Sequence, residues 1–440
     1  MLEAGDGTAD ITPPQGVELA GFHKPIGQER VATGVRQRTS ARALVLKTDR
    51  DKIAIVVLDV LGFSQDFAKR VQKRIARETS VPEKHVRVCA THTHSAPSLM
   101  PLLQWGAVSQ AYNDLVEKRA AEAAVSAEKD LARADMYIGK QRVESANYNR
   151  TAKMWKTDHE FTKDSNDSER WLDTMLHTLY FQREAPKRSL VWYQFSAHPV
   201  CYADGLAGPD WPGLVANKME ARDNLIPAYL QGHCGDVNPG ESGRGDAEKV
   251  SEAVYAALHH AVGHSEHVPF ERIQVATKTH ELEFDMELFK RELEDYRKDP
   301  PACTKGEWVD AGFAKAWFEH ASKWNLRTRT YSAPISAMRF GDLALMFHPS
   351  ELYSVYGLTV RRESPFENTI VVGYADDMVG YIPDPVAYEK AEYAAIVVPK
   401  LIGFPPFKPD TGRKFADGLL DILKSIGARA ARREPLALPA

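Results

Sequence analysis

The chain has 440 residues, of which 43% are hydrophobic and 26% charged, and its formal net charge at pH 7 is −4. This composition is typical of a globular protein and gives no reason to expect nucleic acid or an anionic membrane as a partner. No apolar run approaches the roughly 20 residues that cross a bilayer, so no transmembrane segment is predicted. Four distant cysteines without a CxxC pair favour a reducing compartment. We expect a cytoplasmic protein, or an exported one if a signal peptide has been removed.

The first third of the chain alternates strands and helices. Two strands are predicted at Ala41–Lys47 and Lys52–Val60, and the second is apolar enough to be covered on both faces. Helices are predicted at Ser64–Glu78, where apolar residues recur every four positions, and at Ala111–Leu131. This alternation predicts an α/β fold in which helices flank a mixed β-sheet core.

A strand beginning at Val86 leads into the sequence THTHSAP, which contains His92 and His94. On extended backbone, residues two apart point to the same side, so both imidazoles can converge on one point. Such a pair can hold a metal ion, but it can equally be two surface histidines on a polar turn. Partners elsewhere in the chain must decide between these interpretations.

Two further candidates follow predicted strands in the middle of the chain. Arg150 lies in a loop after the strand Met136–Val143, where an arginine can bind a substrate carbonyl or simply be solvated. Paired strands are predicted at Leu172–Gln182 and Leu190–Ser196, and the second ends just before His198 and a proline. His198 is therefore either a metal ligand or a buried core histidine.

The stretch Ala228–Gly240 predicts a short strand that enters a glycine-rich turn carrying Asn238. Glycines allow close approach of a ligand to the backbone. The turn contains no G-x-S-x-G motif, so a serine nucleophile elbow is not indicated. Residues 265–340 combine strands with two amphipathic helices, and they form either a cap that shapes a pocket or part of the scaffold.

The last candidates lie near the C-terminal end of the sequence. Glu351 follows the apolar strand Leu343–Phe347, where it is either in the first turn of a helix capped by Ser350 or a metal ligand. A final strand precedes a tyrosine-rich segment that includes Tyr381 and Tyr388. Tyrosine clusters line pockets, although packing alone also explains them.

Taken together and in order, these motifs resemble the catalytic domain of the neutral, non-lysosomal ceramidase family. The resemblance rests on an ordered set that covers most of the chain: GTADITPP with Gly21 downstream, THTHSAP, NYNR, HPV, GDVNP, SEL, and GYI followed by a tyrosine seven residues later. It implies a hydrolase in which a metal-activated water attacks an amide (N-acyl) bond of a small-molecule or lipid-like substrate.

The resemblance also implies a ligand set and roles for individual residues. A zinc ion would be held by His92, His198, Glu351 and Tyr381. His94 would face the reacting carbonyl or water, and the resemblance likewise places Arg150 and Tyr388 at the site. Length alone allows two or three domains, but ligands spread over most of the chain favour a single large catalytic domain spanning residues 1–440.

Two departures from the family pattern affect this interpretation. Asn238 stands where the family has a serine, and an amide can donate a hydrogen bond but cannot act as a nucleophile. We also expect no immunoglobulin-like C-terminal domain. Two alternatives therefore stay open: a metal-dependent hydrolase of an ester or carbohydrate linkage, and a catalytically inactive metal-bearing binding protein.

Overall fold

The computed structural model describes residues 1–304 and 309–427. In the N-terminal part the strands are β1 Glu3–Asp10, β2 Gly34–Val35, β3 Ser40–Lys47, β4 Lys52–Leu58, β5 Val86–Ala90, β6 Ala132–Arg142, β7 Asn147–Asn149, β8 Lys156–Thr157, β9 Trp171–Leu172, β10 Met175–Arg183, β11 Leu190–Phe195, β12 Leu206–Ala207, β13 Ile226–Gln231 and β14 Val237–Pro239. In the C-terminal part they are β15 Glu266–His267, β16 Ile273–Glu283, β17 Thr330–Phe340, β18 Leu343–Phe347, β19 Glu351–Leu352, β20 Asn368–Val372 and β21 Tyr381–Ile382.

Helices cover the faces of the sheets. They are α1 Gln65–Glu78, α2 Gln110–Lys129, α3 Trp211–Asp223, α4 Ala247–Gly263, α5 Met286–Lys298, α6 Ala311–Ala321, α7 Ser354–Glu363, α8 Pro385–Glu389, α9 Tyr393–Ile396, α10 Val398–Ile402 and α11 Thr411–Gly427. Among the described residues, none of these helices has both the length and the apolar character that a membrane crossing requires.

Two sheets organise the part of the chain that the structure describes. The larger has the order β13-β11-β10-β6-β1-β3-β4-β5, with β15 also paired to β6, and the smaller has the order β16-β17-β18-β20. Both are mixed, because β4 and β5, β11 and β13, and β18 and β20 run parallel while their other neighbours run antiparallel. The predicted mixed sheet with flanking helices is therefore confirmed.

Local sequence explains how the first helices dock on the larger sheet. The Ser64 hydroxyl accepts a hydrogen bond from the Phe67 amide and caps α1. Helix α2 presents a row of buried alanines, and it lies so close to β1 that a Cβ on Gly7 would be 2.0 Å from the Ala123 carbonyl oxygen. Glycine at this strand position lets the helix and the sheet pack at backbone distance.

The sheets meet where several strands end. The Ala90 amide, at the end of β5, donates to the Tyr374 carbonyl (3.0 Å), and the Gly373 amide, just after β20, donates to the Gln231 carbonyl (3.0 Å) at the end of β13. The ends of β5 and β13 in the larger sheet thus lie beside the segment that leaves the smaller sheet. Strand-terminal side chains from both sheets can therefore share one site.

The predicted helix cap at Ser350 was wrong. Glu351 lies in the short strand β19, and α7 begins only at Ser354, so Glu351 is not in a first helical turn. The Ser350 hydroxyl is hydrogen-bonded to His348 Nδ1 instead (3.0 Å). Parallel pairing of β19 with β21 keeps this segment extended, and the pairing puts Glu351 directly opposite Tyr381.

Residues 265–340 divide into two parts. Strands β16 and β17 pair over their full length and form one side of the smaller sheet, so they are scaffold. Helices α5 and α6 lie between them in sequence. Whether the helical part acts as a cap, and whether the whole chain behaves as one domain, stay predictions.

Candidate metal centre

Five side chains with metal-ligating atoms converge where the two sheets meet. His92 and His94 come from the loop after β5, and His198 follows β11. Glu351 and Tyr381 come from the paired strands β19 and β21. The structure therefore brings together all four residues assigned to zinc from the sequence, and His94 with them.

The separations between these donor atoms are those of a metal coordination sphere. His198 Nε2 and His92 Nε2 lie 3.2 and 3.3 Å from one Glu351 oxygen, Oε2. His94 Nε2 is 3.3 Å from His92 Nε2, and the Tyr381 hydroxyl is 3.4 Å from His198 Nε2. Bonds of about 2.0–2.1 Å to a tetrahedral zinc separate neighbouring donors by about 3.3 Å, so the observed spacing fits such an ion.

Hydrogen bonds fix the orientation of all three imidazoles. Nδ1 donates to the Leu61 carbonyl in His92 (2.7 Å), to the Gly21 carbonyl in His94 (2.9 Å) and to the Val237 carbonyl in His198 (2.9 Å). A neutral ring that donates through Nδ1 carries a lone pair on Nε2. Three such lone pairs directed at one point repel one another unless a cation lies between them, which is the arrangement of metal-binding histidines.

Burial keeps the imidazoles of His94 and His198 neutral in the metal-free protein. Burial, assisted by His92 and His198, holds the pKa of His94 well below its usual value, and burial together with Arg150 lowers the pKa of His198 to about 4. Burial alone would raise the pKa of Glu351, but His92 and His198 hold it well below its usual value. The site therefore offers unprotonated nitrogens and a carboxylate at neutral pH.

The three imidazoles alone form a group that could hold a metal ion, since their ring nitrogens lie within 4.8 Å of one another. That group contains His94, which the sequence analysis assigned not as a metal ligand but as a residue facing the reacting carbonyl or water. The centre thus presents five donors to an ion that takes four ligands in structural sites and keeps an open position in catalytic ones.

Three hydrogen bonds, one of them to Tyr381, hold the Arg150 guanidinium at the edge of the centre. Its Nη2 donates to the Tyr381 hydroxyl (2.6 Å) and to the Gly235 carbonyl (2.8 Å), and its Nη1 donates to Asn238 Oδ1 (3.2 Å). The Asn238 amide nitrogen donates to the Gly243 carbonyl (2.8 Å) and not toward the imidazoles. Asn238 therefore orients Arg150, a role that the sequence did not suggest.

Comparison with known proteins adds the family. The profile of the neutral/alkaline non-lysosomal ceramidase family, N-terminal part, matches residues 2–253, which is more than half of the chain. The chain belongs to this family. A search of the curated proteins returned no match.

Solved structures support the same fold over the whole chain. The neutral ceramidase from Pseudomonas aeruginosa is 18% identical, with a TM-score of 0.73, and a ceramidase solved in complex with C2 is 18% identical, with a TM-score of 0.74. In both comparisons the match covers 100% of this chain and 76% of the other. At this identity the likeness establishes the ceramidase fold, including the part of the chain beyond residue 253.

Tyr388, on α8, packs against the hydrophobic cluster that contains Tyr381, and its assignment to this ceramidase-like centre stays a prediction. Tyr393, the first residue of α9, lies beside the centre, with its ring 6.0 Å from that of Tyr381. The sequence did not assign Tyr393 to the site.

Two further residues at the centre were not assigned from the sequence. Tyr374 stacks on His92 at 4.3 Å between ring centroids, and its hydroxyl donates to Glu351 Oε2 (3.3 Å). Phe22 contacts the edge of His94 at 5.2 Å. Tyr374 belongs to the tyrosine-rich segment already noted in the sequence, whereas no local pattern distinguished Phe22 from an ordinary loop residue.

Proposed function

We propose that this protein is a zinc-dependent amidohydrolase that cleaves an N-acyl amide bond. One observation carries the proposal: donors from three distant parts of the chain lie 3.2–3.4 Å apart in a buried site with fixed tautomers. Membership of the ceramidase family supports an amide as the bond that is cleaved. The proposed ligands are His92, His198, Glu351 and Tyr381.

The donor set suits zinc because two imidazoles, a carboxylate and a phenolate are ligands of the hardness that this ion accepts. When bound, zinc would polarise a carbonyl as a Lewis acid and would lower the pKa of a water molecule toward neutrality. The residues around it position and stabilise the reacting groups.

His94 and Arg150 are the proposed catalytic groups beside the ligands. His94 Nδ1 donates to the Gly21 carbonyl, so Nε2 carries a lone pair that can accept a proton from water and pass it to the leaving amine. The Arg150 guanidinium keeps a fixed positive charge next to Tyr381, where it can stabilise an oxyanion that forms on the acyl carbon. Asn238 holds that charge in place and does not form a covalent bond to the acyl group.

Metal analysis combined with a substrate panel tests this proposal. Wild-type protein loaded with zinc and dialysed should retain about one zinc per chain and hydrolyse N-acyl amides, including a short-chain ceramide. His92→Ala should lose both properties. His159→Ala, which changes an exposed histidine outside the site, should keep both.

Each other outcome has a definite meaning. Equal and negligible zinc in wild type and His92→Ala would refute the metal site. Cleavage of esters or glycosides but not of amides would show that the enzyme hydrolyses a different class of bond. Full zinc occupancy without turnover of amides, esters or glycosides would make the protein a metal-bearing binding protein.

A further inference from the structure

Tyr374 contacts two of the proposed metal ligands at once, although it is not assigned as a ligand itself. Its ring stacks on the His92 imidazole, with 4.3 Å between the centroids and 29° between the ring planes. Its hydroxyl lies 3.3 Å from Glu351 Oε2. The same oxygen lies within 3.3 Å of His92 Nε2 and 3.2 Å of His198 Nε2. The phenol is therefore bonded to the carboxylate atom that faces the imidazoles.

The hydrogen bonds around this phenol have one consistent direction. An ionised carboxylate can only accept, so the Tyr374 hydroxyl donates to Glu351. Cys234 Sγ lies 3.2 Å from the phenol oxygen, and because the single hydroxyl proton is already used, the thiol is the donor in this contact. The chain from Cys234 through Tyr374 thus ends in a charge-assisted hydrogen bond on Glu351. All three side chains are buried, so bulk water does not replace a bond that is lost.

The backbone at Tyr374 has a conformation that a bulky residue rarely adopts. Its φ is 54°, and the φ of His92, on which it stacks, is 62°. Both values lie in the left-handed region, which is unfavourable for residues with large side chains. The Ala90 amide donates to the Tyr374 carbonyl (3.0 Å) and ties this backbone to the loop that carries His92. Strain that a fold maintains at two facing residues is typical of a functional site.

We propose that Tyr374 is a positioning residue of the metal centre, which aligns Glu351 Oε2 and the His92 imidazole before an ion binds. The inference rests on the proposed zinc centre and goes beyond it, because it gives a residue outside the ligand set control of metal affinity. Hydrogen bonds to ligating groups orient them, and losing such a bond typically lowers metal affinity by about 10–100-fold. The ring fixes the imidazole in the same way, since a stacked plane limits its rotation.

Zinc affinity, measured by competition with a chromophoric chelator, tests this role. Tyr374→Phe keeps the stacked ring and removes only the hydroxyl, so we expect its zinc Kd to rise by roughly tenfold. Tyr374→Leu also loses the stacked ring and should raise the Kd by roughly a hundredfold. Tyr112→Phe is the matched control. Tyr112 is a buried tyrosine of the same hydrophobic cluster, and its hydroxyl donates to the Ile11 carbonyl (2.7 Å), so this variant should keep the wild-type Kd.

The visible absorption of the cobalt-loaded protein separates positioning from general stability. Cobalt(II) accepts the same ligands as zinc, and its absorption bands respond to the number and arrangement of those ligands. In Tyr374→Phe the carboxylate of Glu351 is free to rotate, so we expect the bands to differ from wild type in energy and intensity. Tyr112→Phe should give the wild-type bands, because a loss of stability alone does not change them. A wild-type zinc Kd or wild-type cobalt bands in Tyr374→Phe would overturn the proposal.

A double-mutant cycle tests whether the Tyr374 hydroxyl acts through Glu351. Glu351→Ala removes the carboxylate that the hydroxyl orients, so adding Tyr374→Phe to it should leave the zinc Kd of Glu351→Ala unchanged within about twofold. If the two losses of affinity multiply instead, the hydroxyl supports the centre by another route and the proposal is refuted.

The same measurements separate this inference from the proposed function. If the wild-type protein binds neither zinc nor cobalt, the proposed function and this inference fail together. If it binds them and Tyr374→Phe behaves like wild type, only this inference fails. If Tyr374→Phe changes the Kd and the cobalt bands as expected while wild type hydrolyses no amide, Tyr374 keeps its positioning role and only the amidase function is refuted.

Discussion

At the scale of single residues, His92 is the most constrained member of the centre. Its φ of 62° lies in the left-handed region, which costs a non-glycine residue of order 1–3 kcal/mol. The hydrogen bond to Leu61 and the stacked Tyr374 ring fix its side chain on both sides. The sequence argument assumed extended backbone at His92 and His94, but the chain has already left β5 at these residues and His92 has a left-handed backbone conformation.

Metal retention should persist into mildly acidic solution. The pKa of His198 is lowered to about 4 by burial and by Arg150, and that of His94 is also lowered, so protons compete poorly for the Nε2 lone pairs. We therefore expect zinc content to stay constant from pH 8 down to about 5 and to fall below that. Dialysis at graded pH followed by metal analysis measures it. Half-loss near pH 6.5, the pKa of an exposed histidine, would contradict the prediction.

Asn238 should contribute to rate through Arg150. Asn238→Ala removes the acceptor of one charged hydrogen bond, while Gly235 and Tyr381 still hold the guanidinium, so we expect kcat to fall by roughly tenfold with zinc content unchanged. Asn238→Asp retains an acceptor at this position and should recover part of the rate. Steady-state kinetics on an N-acyl amide measures both changes.

Mass spectrometry during turnover tests the same residue independently. The Asn238 amide is not a nucleophile, and it is hydrogen-bonded to the Gly243 carbonyl and to Arg150. No acyl adduct should therefore form on it. An acyl-enzyme at Asn238 would exclude direct attack by water.

At the scale of elements, local patterns predicted most helices and strands but not how distant segments face one another. The periodicity of Ser64–Glu78 and the apolar run of Lys52–Val60 are properties of a few neighbouring residues, so both were found within one or two residues. The extended conformation at Glu351 depends on pairing with a strand thirty positions away, and local spacing does not encode that pairing.

Helix α7 is tied to the larger sheet by a buried ion cluster. The Arg361 guanidinium donates two hydrogen bonds to the carboxylate of Asp173 (2.7 and 2.9 Å), which is fully buried, and His233 Nε2 lies 2.8 Å from the same carboxylate. Burial alone would raise the pKa of Asp173, but Arg361 and His233 hold it below its usual value.

Loss of this carboxylate should destabilise the fold. Asp173→Asn leaves the Arg361 charge without its partner, so we expect the free energy of unfolding at pH 7 to fall by about 3–5 kcal/mol. The lowered pKa means that the stabilisation is present above the ordinary carboxyl pKa and is lost as pH falls below about 4. The difference between wild type and variant in urea unfolding should therefore shrink in acid. Asp164→Asn, which changes an exposed carboxylate, should have the same free energy of unfolding as wild type at every pH. If Asp173→Asn also unfolds with the wild-type free energy, the prediction is wrong.

At the scale of the whole molecule, the candidate centre combines residues from the part of the chain that the family profile matches with residues from the part that it does not match. The family profile covers residues 2–253, which contain the three histidines together with Arg150 and Asn238. Glu351 and Tyr381 lie beyond it, and only the structural likeness spans them. Zinc held by both sets of donors would therefore link the loops that follow strands of the larger sheet to the strand pair β19–β21.

This link predicts that zinc stabilises the entire fold and not one half of it. An ion that binds the native state alone, at a free concentration 100 times its Kd, adds about 2.7 kcal/mol to the free energy of unfolding. For a chain of this size we expect the midpoint of thermal unfolding to rise by a few degrees over protein treated with a chelator. Because the donors come from distant parts of the chain, circular dichroism and tryptophan fluorescence should report the same shift. His92→Ala should show no shift, and a shift confined to one of two separate transitions would mean that the donors do not share one ion.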